Sequence, residues 1–191
     1  MTRRREAPAF GFDAEVEEIE PQLDEGDVDA LTELVRCSSA QRRGRILALL
    51  ALFEADTGHH DARAALGRLC NELRASNSAC ARAQRLVSGV LANSEQVDAV
   101  LQRCAPTWPL PQVAAVDRNI LRLAIYEVLF ARQAPVALAV NEAVELAKVF
   151  GSDHSARFVN GVLGAAAGLA EAREPSRTQA TQSEVTRGDS V

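Results

Sequence analysis

Aromatic side chains are scarce in this chain: one Trp, one Tyr and six Phe among 191 residues, 4% of the total. Ala and Leu dominate the apolar 47% instead, a balance that favours helices over sheet. No run approaches the roughly 18 apolar residues of a membrane span. The opening stretch, MTRRREAPAFGFDAEVEEIEP, has basic residues but no apolar core, which argues against a secretory signal and for a cytoplasmic protein. Cys37, Cys70, Cys80 and Cys104 make no CxxC pair, and the three histidines fall at no zinc-ligand spacing. Reduced, structural cysteines and no metal are expected. There is no glycine-rich phosphate loop and no Gly-x-Ser-x-Gly elbow, so the chain reads as a non-enzyme without a cofactor. Lysine is nearly missing too. Lys148 is the only one, and arginine carries the remaining positive charge.

The charge that is present is unevenly placed. Residues 1–37 hold 4 basic and 11 acidic side chains, residues 38–170 hold 14 and 11, and residues 171–191 hold 3 and 4. The net charge of -5 therefore hides a mildly basic body, and distribution matters more than the total for a nucleic-acid partner. Three regions follow: an acidic, mostly disordered extension over 1–37, a mildly basic helical domain over 38–172, and a disordered polar tail over 173–191. Within the extension, Val28, Leu31, Leu34 and Val35 fit a short helix over 27–37. The anionic extension is read as a solvating tail or as a tethered competitor for the arginines that follow it.

From Ser38 onward the apolar period is helical. Ser38 or Ser39 caps a helix carrying Ile46, Leu47, Leu49, Leu50 and Phe53, which Gly58 ends. Further helices are expected over 61–75, from Asn77 or Ser78, and from Ser94 as a cap. Pro106, Pro109 and Pro111 around Trp108 then make a stiff connection. A long buried helix runs from Gln112 to Arg132, another opens at Pro135 and closes at Gly151, and the last starts at Ser152–Asp153. No strand signal appears.

Four words in this pattern carry chemistry. Arg42, Arg43 and Arg45 crowd the first turns of one helix, where positive charge is mildly unfavourable. They suit either a solvated helix end or a phosphate-binding turn, since arginine forks bind phosphate bidentately. In LRLAIYE, Arg122 interrupts an apolar helix, and its charge needs a partner; Glu127 and Glu142 are the candidates, with RNA contact the alternative. In NEAVELAK, Lys148 lies near a helix C-terminus, favourable for a cation and equally suited to phosphate. In FGSDHSARFVNGVL, the helical apolar spacing runs through Asn160-Gly161, so a hairpin turn is rejected. Close approach of another helix would explain the cost of Gly161, roughly 1 kcal/mol relative to Ala, and Asn160 is expected to satisfy a buried backbone group. Arg157 beside Phe158 is a cation next to an aromatic ring, as a base-stacking surface requires, although Phe158 alone reads equally as core.

These words, QRRGRILALLALFEADTG over 41–58 and the stretch from Val116 to Leu163, resemble the NusB family of bacterial transcription antitermination factors over about residues 38–172. The resemblance implies an all-α, seven-helix fold of two packed helical bundles. It implies binding of boxA RNA in ribosomal RNA leaders, with Arg42, Arg43, Arg45, Lys148, Arg157 and Phe158 as RNA-binding residues. Gln41 and His154 stand where some members have an arginine and an acid. The implied partners are boxA RNA, NusE (a ribosomal protein of the small subunit) and the RNA polymerase antitermination complex, with a homodimer possible and no membrane. Two other readings stay open: a helical protein–protein adaptor, and a detached accessory domain of the kind fused to RNA cytosine methyltransferases.

Overall fold

Helix-forming Ala and Leu, spaced for one apolar stripe per helix, build every element of the computed structural model, which describes residues 25–172. The sequence expectations for residues 1–24 and 173–191 lie outside these described residues. In chain order the elements are α1 (Glu25–Cys37), α2 (Ala40–Gly58), α3 (Ala62–Glu72), α4 (Asn77–Ala92), α5 (Ser94–Cys104), a 3₁₀ turn (Leu110–Gln112), α6 (Ala115–Ile125) with a π-helical continuation (Tyr126–Ala131), α7 (Val136–Phe150) and α8 (Ser155–Ala172). The described residues thus form eight α-helices, one more than the seven expected. The additional one is α1, in the segment read as extension, whose Val35 joins the core.

Two groups of helices meet on one core. α2, α3 and α4 pack together, α5 to α8 pack together, and α6 touches members of both. Ile120, Leu121, Leu123, Ala124 and Ile125 leave α6 almost no solvent-facing surface. Ser39 caps α2, its Oγ accepting from the Arg42 amide at 3.2 Å. Several ends differ from expectation. The residue that turns left-handed after α2 is His59 (φ 54), one beyond Gly58. The N-cap of α5 is Asn93, not Ser94, and its side chain donates instead to Gly89 O at 2.8 Å. The long helix begins at Ala115 because the prolines hold the preceding residues in a 3₁₀ turn. The last helix begins at Ser155, after a turn in which Ser155 Oγ accepts from the Ser152 amide at 2.8 Å.

The cysteine expectation is also corrected. Cys70 and Cys80 are bridged, with Cα atoms 6.1 Å apart, because the short connection folds α4 back along α3 and brings both side chains to the shared face. Cys37 is free and exposed, and Cys104 is free and half-buried.

Candidate nucleic-acid interface

The arginine turn of α2 does not lie open. Arg45 faces inward at 2% side-chain exposure. Its Nε and Nη2 donate to the two oxygens of Glu127 at 2.8 and 3.0 Å, and its Nη1 lies 3.5 Å from Glu142. A guanidinium so placed presents almost no surface to a ligand in this structure: Arg45, expected at the RNA surface, is held in an internal ion pair. Arg42, 36% exposed, donates to both oxygens of Glu142 at 3.1 and 2.8 Å. That hydrogen bond holds the Arg42 guanidinium above its ordinary value. Arg43 is half-buried, and its Nε donates to Ser38 O at 2.7 Å. Lys148 is exposed on α7 and reaches Glu145 at 2.7 Å. Arg82 of α4 joins the cluster, donating to Glu127 at 2.9 Å.

Arg122 is paired, as its apolar helix demands, but with neither candidate. It grips Asp98 at 2.7 and 2.8 Å and reaches Asp56 at 3.1 Å. The hydrogen bond to Asp98 is the main reason its guanidinium stays above the ordinary value. Asp56 also accepts from Arg118 and Asn119. These contacts tie the end of α2 to α5 and α6.

The second region is open. Cys104, Pro106, Trp108, His154, Arg157 and Phe158 are among the residues lining a groove of about 470 Å³, within the range of small-ligand pockets. Trp108 is 53% exposed and meets Phe158 edge-to-face, ring centroids 6.2 Å apart. Local bonds hold the tryptophan in place. The Gln102 side-chain amide donates to Ala105 O and Trp108 O, each at 3.3 Å, and its carbonyl accepts from the Leu110 amide at 3.2 Å. Arg118 clasps the same joint through Leu110 O and Val113 O. On the other wall, Ser155 Oγ donates to buried Asp117 at 2.9 Å, which fixes the turn just before Arg157 and Phe158. Burial pushes the Asp117 carboxyl up. Arg157 is exposed and Phe158 half-buried.

Two expectations at α8 are corrected here. A methyl at Gly161 would meet nothing within 4 Å. The glycine is exposed and lines this groove; it is not a helix contact. Asn160 is exposed and satisfies no buried group. The close approach is at Gly89, where a methyl would run into the ring of Tyr126. Trp108 is the functional candidate that the sequence reading missed. A single large aromatic among three prolines, on a joint that cannot fold into a helix, was the available signal.

Among the described residues no cluster of His, Cys, Asp or Glu could hold a metal ion, and no helix is long and apolar enough to cross a membrane. Fold and site together define a class: an all-helical protein that offers a guanidinium turn and a cation-flanked aromatic groove. The NusB family model matches residues 42–168. The transcription antitermination protein NusB of Heliobacterium modesticaldum is 45% identical over 125 residues, covering 65% of this chain and 61% of that protein, so this chain spans less than two thirds of that relative. A solved structure of T. maritima NusB superposes with a TM-score of 0.63 at 34% identity, over 67% of this chain and 90% of that one. A solved complex of antitermination factors NusB and NusE with dsRNA shares the fold, with a TM-score of 0.64 at 24% identity, over 68% and 97% of the two chains. This chain belongs to the NusB family.

Proposed function

We propose that this chain is a cytoplasmic transcription antitermination factor. It binds boxA RNA in the leaders of ribosomal RNA operons and, with NusE, helps assemble the antitermination complex on RNA polymerase. Its mechanism is assembly, with no bond made or broken. The observation that supports this reading is the open groove, lined together by an exposed tryptophan, a phenylalanine, an arginine and Gly161. Single-stranded nucleic acid is bound by such a combination: rings stack on bases while a cation meets the backbone. Phe158 and Trp108 are assigned to stacking, and Arg157 to phosphate. Arg42, Arg43 and Lys148 are assigned to further phosphates, each exchanging or supplementing an internal partner. Arg45 is assigned a positioning role, holding Glu127 and Glu142 so that Arg42 stays at the surface.

Filter binding with boxA-like and scrambled RNA at two salt concentrations tests the reading. Tighter retention of the boxA-like strand is expected, weakening steeply with salt as displaced counterions return. Pull-down of NusE is expected to strengthen when that RNA is present. A helical adaptor, or a homodimer that covers this face, predicts no retention of either RNA at low salt.

A further inference from the structure

The arginine cluster holds one more guanidinium than its carboxylates balance. Arg42, Arg45 and Arg82 share Glu127 and Glu142, while Glu145, whose charge also reaches Arg42, is taken by Lys148. Arg82 is the member with no carboxylate oxygen to itself. Its stem lies across Gly44, where a methyl would come within 2.9 Å of its Cβ, Cγ and Cδ. Its Nη2 donates to a Glu127 oxygen that already accepts from Arg45. Its Nε is buried without a partner. Burial, and then repulsion from Arg45, push this guanidinium below its ordinary value. An arginine placed for stability alone would satisfy its buried donors.

One turn further along α4, Arg85 lies three residues on, close enough to share the face. It is exposed, and its charge adds to the repulsion on Arg82. The two line a cleft of about 20 Å³ with Leu86, Tyr126, Ala131 and Gln133. That volume suits a water rather than a phosphate, so an anion would rest on the mouth. No carboxylate is among the residues lining the cleft; Glu127 stands behind it, on Arg82. The Gly44–Arg82 contact sets this mouth beside the arginine turn of α2.

We propose that Arg82 and Arg85 form a second oxyanion site, which takes a backbone phosphate of the RNA strand passing the α2 turn. The site rests on the RNA-binding reading above. It supplies the negative charge that the cluster lacks, and Arg82 couples it to Glu127 and hence to Arg45.

The test has two arms on the full chain. In the first, filter binding compares wild type, Arg85→Ala and, as a control, Arg63→Ala, another exposed arginine, on α3. Arg85→Ala is expected to weaken boxA-like and scrambled RNA alike, because phosphate contacts carry no sequence information. It should lower the slope of log affinity against log salt by about one, while Arg63→Ala keeps the wild-type slope. In the second arm, the Arg82 Nε–Hε NMR signal is followed as inorganic phosphate is added. A saturable shift in wild type, lost in Arg85→Ala, is expected. Wild type that binds RNA while Arg85→Ala keeps the full slope overturns the phosphate site alone. Wild type that binds no RNA overturns both the RNA reading and this site's ligand. A phosphate response that never saturates, equal in the two proteins, also overturns the site.

Discussion

The arginine turn of α2 and the aromatic groove beside α8 are both basic words in the sequence, yet their cations do different things. On α2, Arg42 and Arg45 are held by Glu142 and Glu127, and the charge is largely spent inside the protein. At the groove, Arg157 stands exposed beside Phe158, with Trp108 across the opening. The difference teaches that an arginine-rich helix start is first a packing problem. Guanidiniums near the positive end of a helix dipole need partners: α6, through its π continuation, and α7 supply acids to Arg45 and Arg42, while Arg43 turns to the Ser38 carbonyl. What remains available to a ligand is decided by which side chains those acids leave uncovered.

The buried half of this comparison is broken most directly at Glu127, which is 5% exposed and shared by Arg45 and Arg82. Glu127→Ala should destabilise by about 3–5 kcal/mol, since it strands buried positive charge. A shift of the denaturant midpoint with unchanged slope checks this, and a change below about 1 kcal/mol would mean that the pair relaxes into solvent.

The next largest effect concerns Asp56, which anchors α2 to the joint beneath the groove. Burial pushes its carboxyl up, but hydrogen bonds from Arg118, Asn119 and Arg122 outweigh burial and hold it below the usual carboxylate range. A folded value below the unfolded one stabilises above the unfolded value, and that stabilisation disappears as pH falls through the folded one. Asp56→Asn should therefore cost about 1.5–3 kcal/mol near neutral pH, with the gap to wild type closing in acid. Asp117 has the opposite sign. Burial raises it, so its contribution is complete in acid and is lost as pH rises through its folded value. Urea titrations of Asp56→Asn and Asp117→Asn across the carboxylate range should diverge in these opposite directions.

The open half is broken by truncating its rings. Trp108→Ala and Phe158→Ala should each weaken RNA binding by about 1–3 kcal/mol, the worth of one stacked base. Trp108→Ala should leave the melting temperature nearly unchanged, because the side chain is mostly solvent-facing. Equal losses of stability and binding would return Trp108 to a packing role.

Most of the helical frame was legible in the sequence because its signals are local. Ser39, one of the two serines expected to cap α2, does so, and the 3.6-residue period located every helix from α2 to α8. Partner choice was not legible. Arg45 finds Glu127 across 82 positions and Arg42 finds Glu142 across 100, and no local spacing encodes that. Arg122 was rightly expected to need an acid, but Asp56 and Asp98 lie on other helices whose rotation the period alone does not fix. Gly161 was misread for a related reason. Its cost in a helix is visible in sequence, but a glycine on an open groove and one pressed on a neighbour look alike. Gly161→Ala now has a definite expectation, the smallest here: a gain of up to about 1 kcal/mol in folding stability, read as a rise in melting temperature, because the added methyl meets open space.

Trp108 is the only tryptophan in the chain, so selectively excited tryptophan emission reports on the groove alone. Titrating a boxA-like RNA into the protein tests the central claim most directly. The account predicts saturable quenching or a spectral shift of Trp108 at the same midpoint as RNA binding followed by anisotropy, weakening as salt rises and lost in Phe158→Ala at the same RNA concentrations. RNA binding that saturates while the Trp108 emission stays constant would contradict it.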